Sequence, residues 1–167
     1  MNEIRLRAVE PEDVDFMLEC ESDREAATWS DYRAPFSRHQ LMSYALTYDA
    51  DPFGAGQLRL IAQTSGGLTV GIADLYELDP QDLRAYVGIT IHPDHRRHGY
   101  GLKTLESLIS YSRDRLGLRM LAAKISEQNP AALAIFRSAG FLPLCLLPHW
   151  HKIGSHHHNI HLLHLPL

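Results

Sequence analysis

The chain has 167 residues, of which 45% are hydrophobic and 22% are charged, which is the size and apolar content of one globular domain spanning residues 1–167. Its formal net charge of −4 excludes the strongly basic surface of a nucleic-acid-binding protein. No apolar run reaches the ~18 residues of a membrane helix, and Met1 to Arg7 lack the apolar segment of a secretory signal, so we expect a cytoplasmic protein with no membrane partner.

Strand and helix signals alternate along the first half of the chain. The acids and the proline at Glu10–Asp13 are typical of a helix N-terminus, and Ser37 is an N-cap residue before a second helix. Two later strands flank Ser65-Gly66-Gly67, where glycine allows a tight turn, so we predict a β-hairpin. The predicted elements are a strand at Ile4–Arg7, a helix starting at Glu10–Asp13, a loop at Thr28–Phe36, a helix after Ser37, and strands at Leu58–Ala62 and Leu68–Leu78.

The second half has stronger signals and supplies a crossover. Gly117 and Gly140 are typical of helix ends, while Asn129 and Pro130 are typical of a helix start. The predicted elements are a strand at Ala85–Ile91, a helix from near Leu102 to near Gly117, a strand at Met120–Ile125, a helix between Asn129 and Gly140, and strands at Leu142–Leu147 and Asn159–Leu165. A crossover helix makes the strands that it joins parallel. The order β-α-α-β-β-β-α-β-α-β-β therefore indicates an α/β (α+β) domain with a mixed sheet.

The turn before the crossover helix is a candidate anion-binding site. It reads Arg96-Arg97-His98-Gly99-Tyr100-Gly101, and the unpaired N–H groups of such a turn and of the following helix attract phosphate. A Walker A loop is excluded because Leu102 interrupts the required Gly-Lys-Ser/Thr. A dinucleotide fingerprint is excluded because Thr104 stands where a third glycine is needed.

Two motifs together resemble one known family. Arg96-x-x-Gly99-x-Gly101 resembles the Q/R-x-x-G-x-G/A signature of the GNAT superfamily of acyl-CoA-dependent N-acetyltransferases. The segment Asn129 to Phe141 resembles its N-x-x-A-x-x-x-Y-x-x-x-G-F helix. The motifs have the family's order and spacing, and the chain looks most like the spermidine and ribosomal-protein acetyltransferase branch. The resemblance implies flanking helices and a parallel strand pair that splays apart.

The resemblance also implies which residues hold acetyl-CoA, the expected co-substrate. Main-chain groups of Ile89, Thr90 and Ile91 would bind the pantetheine arm, and Asn129 and Phe136 would lie near the splayed strand and the sulfur. The pyrophosphate would be wrapped by the turn, whose residues are Arg96, Arg97, His98, Gly99, Tyr100 and Gly101. A plain helix cap at Asn129 and a core position for Phe136 remain compatible with these roles.

The catalytic residues depart from the family pattern. Phe136 occupies the position of the usual tyrosine acid, and Tyr86 and Lys124 occupy strand positions where relatives often carry acids. Tyr86, Asp74 and Glu77 are therefore the candidate catalytic residues, and a backbone N–H around Val87–Ile89 is the candidate oxyanion donor. Asp74 and Glu77 are three residues apart, so they point to opposite faces of the strand unless a bulge intervenes.

The acceptor is expected to be a small amine, a polyamine or a protein N-terminus. A cationic amine is favoured by the net charge of −4 and by the acids Asp74, Glu77 and Asp79 on one strand. A non-catalytic acyl-CoA-binding regulatory module is the alternative, because Phe136 has no proton to give. A homodimer is left open.

Histidine and cysteine usage supports no metal site. Seven of the eleven histidines fall in the last nineteen residues without known zinc-ligand spacing, so a polar loop near the acceptor pocket, with Trp150, is preferred over a metal-binding protein. Cys20 and Cys145 show no CxxC spacing, and we expect two reduced, buried thiols.

Overall fold

The computed structural model describes residues 3–29 and 34–167, which form a seven-stranded sheet with helices on both faces. The strands are β1 (Ile4–Ala8), β2 (Gln57–Thr64), β3 (Thr69–Asp79), β4 (Arg84–Ile91), β5 (Met120–Ser126), β6 (Leu142–Ile153) and β7 (His156–Pro166). The helices are α1 (Val14–Ser22), α2 (Arg24–Trp29), α3 (Arg38–Thr47), α4 (Pro52–Ala55), α5 (Tyr100–Asp114) and α6 (Pro130–Ser138). Within the described ranges, no helix is long and apolar enough to cross a membrane.

The sheet order is β1-β2-β3-β4-β5-β7-β6, and β4 and β5 form its parallel pair. The other neighbours are antiparallel, so the predicted mixed sheet is confirmed. Pairing between β4 and β5 covers only three residues and ends at Tyr86 and Ala122. The two strands then separate, which opens the sheet at its centre.

Apolar clusters cover both faces of the sheet and fix the helices around the opening. On one face, Leu105 and Leu108 of α5 pack with Leu121 and Leu163, none of which is exposed to solvent. On the other face, α1 and α3 pack over the hairpin through a cluster of Val14, Met17, Cys20, Leu41, Ile61 and Ile72. Burial of this apolar surface is the main term that stabilises the arrangement.

The predicted loop at Thr28–Phe36 is wrong at its start, because Thr28 and Trp29 belong to α2. Residues 30–33 of that loop lie outside the described residues. Helix α2 buries none of its residues, so it lacks the apolar periodicity that reveals a helix in sequence. Its N-terminus is instead fixed by the carboxylate of Asp23, which accepts a 2.9 Å hydrogen bond from the Ala26 N–H.

The prediction of a polar, histidine-rich loop between the last two strands is also wrong. Strand β6 continues to Ile153 and β7 starts at His156, so only Gly154 and Ser155 form the turn. Most of β6 is exposed on both faces, and the alternation of apolar and polar residues that marks a half-buried strand is therefore missing. Cys20 is buried as predicted, whereas Cys145 is exposed on this edge strand.

Candidate active site

A cleft of about 1760 Å³ opens where β4 and β5 separate. Its walls come from β3, β4, β5, α6 and the turn before α5, and its outer rim includes α2 and the end of β6. Ligand pockets commonly measure about 300–1,000 Å³, so this cleft has room for two substrates. Most of the residues that carry the sequence prediction, from three separate segments, line it.

The turn before α5 presents backbone N–H groups to the cleft. Gly99 is the N-cap residue in the left-handed conformation with φ of 77°, and the N–H groups that follow have no partner inside the helix. Gly101 packs against α6, because a Cβ there would lie 3.1 Å from Cδ1 of Ile135. Gly101 thus allows α5 and α6 to pack closely beside the cleft. The N-terminus of α5, which is the positive end of the helix dipole, faces the cleft.

The two arginines of the turn have different surroundings. The Arg96 guanidinium donates to the carboxylates of Asp23 and Glu25 and to the Ile91 carbonyl, at 2.5, 2.8 and 3.1 Å. Arg96 therefore connects the turn to the start of α2. Arg97 is exposed and has a φ of 63°, and no ion pair joins it to another residue of the described chain. Its charge is available to a ligand in the cleft.

The remaining predicted cofactor residues lie on both sides of the opening. Ile89, Thr90 and Ile91 line the cleft and pair with β3 on one edge only, since pairing with β5 has already ended. Tyr100 lines it too and is 9% exposed. His98 does not line the cleft, and its Nδ1 lies 3.3 Å from the carbonyl of His95.

Asn129 and Phe136 have structural partners as well as faces on the cleft. The Asn129 side chain accepts a 3.1 Å hydrogen bond from the Ala132 N–H and so caps α6. The Phe136 ring packs edge-on against Phe141 with centroids 4.9 Å apart, and Phe136 is 6% exposed. Both residues line the cleft, so the cap and core roles are compatible with contact to a cofactor.

Asp74 lines the cleft, but its carboxylate is already paired. Arg59 donates to both oxygens at 2.8 and 2.9 Å, and it also pairs with Glu21 at 2.7 Å. Although burial opposes the charged form, the two carboxylates raise the pKa of Arg59 above its usual value. Removing a proton from an amine would require Asp74 to give up this arginine, so Asp74 is poorly placed to act as a base.

Glu77 occupies a bulge, and this changes the face to which it points. The β3–β4 register shifts between Tyr76 and Asp79, and Glu77 has a φ of 49°. Asp74 and Glu77 consequently both line the cleft. Asp79 does not line it: its carboxylate accepts hydrogen bonds from the N–H groups of the next turn and from Arg84.

Tyr86 lies beside the cleft and does not line it. Its ring stacks on Tyr76 with centroids 5.5 Å apart, and the Lys124 ammonium lies 4.3 Å from the centre of the Tyr86 ring. Lys124 also lies 3.6 Å from Glu77 and lines the cleft. Tyr86 thus supports two cleft residues, and its own hydroxyl is less well placed for catalysis than the sequence suggested.

Sequence reasoning missed several residues of the cleft. Arg59, Trp29, Tyr44 and Tyr76 all line it. Arg59 gave a signal, because a charged residue between Leu58 and Leu60 in a buried strand needs a charged partner. The aromatic residues gave none, since such side chains are ordinary in a core.

The histidine-rich hairpin shows no metal-binding geometry. Within residues 3–29 and 34–167, no three His, Cys, Asp or Glu side chains are close enough to hold a metal ion. His151 lies opposite His158 across the two strands, and His158 lies 3.8 Å from Glu127. The rim of the cleft here is formed by Trp150 and His151.

Comparison with known proteins agrees with the geometry of the cleft. The model of the acetyltransferase (GNAT) domain matches residues 3–142. The chain belongs to this GNAT acetyltransferase family. Membership confirms the predicted family and fold, and it supports acetyl-CoA as co-substrate and N-acetyl transfer as the reaction class.

Named relatives of this GNAT protein differ in their acceptors. It is 31% identical over 96 residues to the L-amino acid N-acyltransferase MnaT of Escherichia coli K12, covering 56% of this chain and 55% of that protein. It is 20% identical over 141 residues to the spermidine N(1)-acetyltransferase of Vibrio cholerae, covering 84% and 80% of the two chains. A crystal structure of the V. cholerae enzyme with CoA and spermine superposes with a TM-score of 0.88 at 19% identity, covering 98% of this chain and 95% of that one.

Proposed function

We propose that this protein transfers the acetyl group of acetyl-CoA to the primary amine of a small acceptor. The observation that carries the proposal is the opening between β4 and β5, which joins the glycine turn of α5 to an end lined by aromatic side chains. The glycine turn suits a phosphate group, and the aromatic end suits an organic amine. A thioester bound between these two ends would lie within reach of the amine while its CoA phosphates contact the turn.

The cofactor end supports a defined placement of acetyl-CoA. The N–H groups at Gly99 to Gly101, with Arg97, would bind the pyrophosphate. The free edge of Ile89–Ile91 would bind the pantetheine amides, and Asn129 and Phe136 would contact the arm near its sulfur. Arg96 would act indirectly, because its guanidinium is committed to Asp23 and Glu25.

The chemistry is direct attack of the amine nitrogen on the thioester carbonyl. An alkylamine has a pKa near 10.4, so only about one molecule in a few thousand is neutral at pH 7, and the site must accept its proton. Glu77 is the best placed of the three predicted groups, because its carboxylate lines the cleft and is largely exposed. The new C–N bond forms, an N–H of Val87–Ile89 would stabilise the oxyanion, and the C–S bond breaks to release the CoA thiolate.

The thiolate can leave without a tyrosine acid. A thiol has a pKa near 8.5, and general acid help contributes only about 10²–10⁴-fold. Phe136 at this position thus slows the reaction without preventing it. The same residue is the reason to keep a non-catalytic acyl-CoA-binding module as the second candidate.

The acceptor and the oligomeric state are suggested by named relatives. A polyamine acceptor and a homo-oligomer are suggested by the spermidine N-acetyltransferase of V. cholerae, for which a dodecameric structure is known. An amino acid acceptor is suggested by MnaT. A single domain over residues 1–167 and a cytoplasmic location are predictions from the sequence.

Release of CoA thiol from acetyl-CoA, measured across a panel of amines, tests the proposal. We expect thiol release that depends on an amine and yields its N-acetyl derivative, as seen by mass spectrometry. Tight acetyl-CoA binding without turnover on any polyamine, amino acid or peptide N-terminus would contradict the proposal and favour the regulatory module.

A further inference from the structure

The cleft is more basic than the chain that forms it. Although the chain has a net charge of −4, Lys and Arg outnumber Asp and Glu by six to three among the described residues that line the cleft. The basic residues are Arg24, Arg59, Arg96, Arg97, Lys124 and Lys152, and the acidic residues are Glu25, Asp74 and Glu77. The whole-chain charge is therefore a poor guide to the acceptor.

Each of the three acids already faces a cation. Asp74 binds Arg59 through both oxygens, and Glu25 binds Arg96 at 2.8 Å. Glu77 lies 3.6 Å from Lys124. A polyamine needs several unpaired carboxylates spaced along its path, and among the described acids that line the cleft only Glu77 has no hydrogen-bonded cation.

Lys124 is placed to bind an anion. It lies on β5 two residues beyond Ala122, where the strands separate, and the Tyr86 ring supports its ammonium from 4.3 Å. The distance of 3.6 Å to Glu77 exceeds that of a good hydrogen bond. An ammonium has three N–H donors, and no hydrogen-bond acceptor in the described chain satisfies those of Lys124. The donors are thus available to a ligand beside the opening.

We infer that Lys124 is a specificity-determining residue that binds an anionic group of the acceptor, so that the preferred acceptor is an amine bearing a carboxylate, as in an amino acid. The inference rests on the proposed function. The carboxylate would hold the acceptor at β5 with its amine near the thioester and near Glu77. The aromatic residues Trp29, Tyr44 and Trp150, which also line the cleft, would contact an apolar side chain of the acceptor.

Matched acceptors separate charge from size. We would measure kcat/KM for L-phenylalanine, L-methionine and L-leucine, for the amide of each, and for spermidine. The free amino acids should exceed their amides by about 10- to 100-fold, the factor expected for a hydrogen bond to a charged group. Lys124→Met should abolish this preference and raise kcat/KM for spermidine, because Glu77 loses its cation, whereas Lys124→Arg should retain the preference.

Lys103→Met is the matched control, because Lys103 lies on α5 outside the cleft, and it should leave the preference unchanged. Any of three results would overturn the inference while leaving amine acetylation intact. They are equal kcat/KM for the free amino acids and their amides, a higher kcat/KM of the parent for spermidine, and an unchanged preference for free amino acids in a folded Lys124→Met protein. Absence of turnover on every amine would instead reject the proposed function, and the inference with it.

Discussion

The two neighbouring arginines of the α5 turn should have separable effects when each is replaced by methionine. Arg96 connects the turn to Asp23 and Glu25, whereas Arg97 is exposed. We therefore expect Arg96→Met to lower the stability of the fold and Arg97→Met to lower the affinity for acetyl-CoA.

The magnitude follows from the partners of Arg96. Its pair with the mostly buried Asp23 resembles a hydrogen bond to a charged group, about 1.5–3 kcal/mol, and the pair with exposed Glu25 adds about 0–1 kcal/mol. Burial opposes ionisation of Asp23, but the Arg96 guanidinium and backbone N–H groups lower its pKa below the usual value, so the ion pair is present at neutral pH. The two ranges add up to a loss of about 1.5–4 kcal/mol, which corresponds to a fall in Tm of roughly 3–16 °C.

Thermal unfolding and calorimetric titration with acetyl-CoA measure the two effects on the same samples. Arg97→Met should change the free energy of unfolding by no more than about 0.5 kcal/mol. Its acetyl-CoA affinity should fall about tenfold, and the difference from the parent should shrink as salt screens the charge. Equal destabilisation by both variants, or an Arg96→Met protein as stable as the parent, would refute the different roles given to these arginines.

Three further predictions concern the acid, the pH dependence and the thiols. Phe136→Tyr places a hydroxyl beside the proposed position of the sulfur and should raise kcat, by at most about 10²–10⁴-fold; an unchanged kcat would mean that the leaving thiolate needs no acid. Burial opposes ionisation of Asp13, but hydrogen bonds from Arg7 and from a backbone N–H lower the pKa of Asp13 below its usual 3.8. The charged Asp13 therefore stabilises the folded state above pH 3.8, and this stabilisation is lost as the pH falls through the lowered pKa. Urea unfolding should show a gap between the parent and Arg7→Met that is larger at pH 7 than below pH 3. A thiol reagent should label Cys145 rapidly and spare native Cys20, whose pKa burial raises to about 12; equal labelling of both would contradict the packing.

Local signals in the sequence predicted most of the fold and the glycine turn that lines the cleft. Ser37 and Asn129 are N-cap residues, as their side chains predict. Gly140 has the left-handed conformation that glycine favours after a helix. The glycine turn before α5 follows the same rule, because its conformation depends on residues within a few positions. Such features depend on short-range geometry and can be read without knowing the fold.

The remaining features of the cleft depend on contacts between distant residues and on irregular backbone. Arg96 pairs with Asp23, 73 residues away, and no periodic pattern records that pairing. The bulge at Glu77 reverses the face to which a regular strand would direct it. The aromatic lining and Lys124 come together only because β5 separates from β4, and no local pattern in the sequence indicates where that separation occurs.

Calorimetric titration of acetyl-CoA into the parent and into Gly101→Glu tests whether the turn before α5 binds the cofactor. A glutamate at this position would meet Ile135 and bring a negative charge to the helix N-terminus. Circular dichroism would establish that the variant is folded. We predict that the parent binds acetyl-CoA and that folded Gly101→Glu does not, whereas equal binding by both proteins would exclude this turn as the binding site.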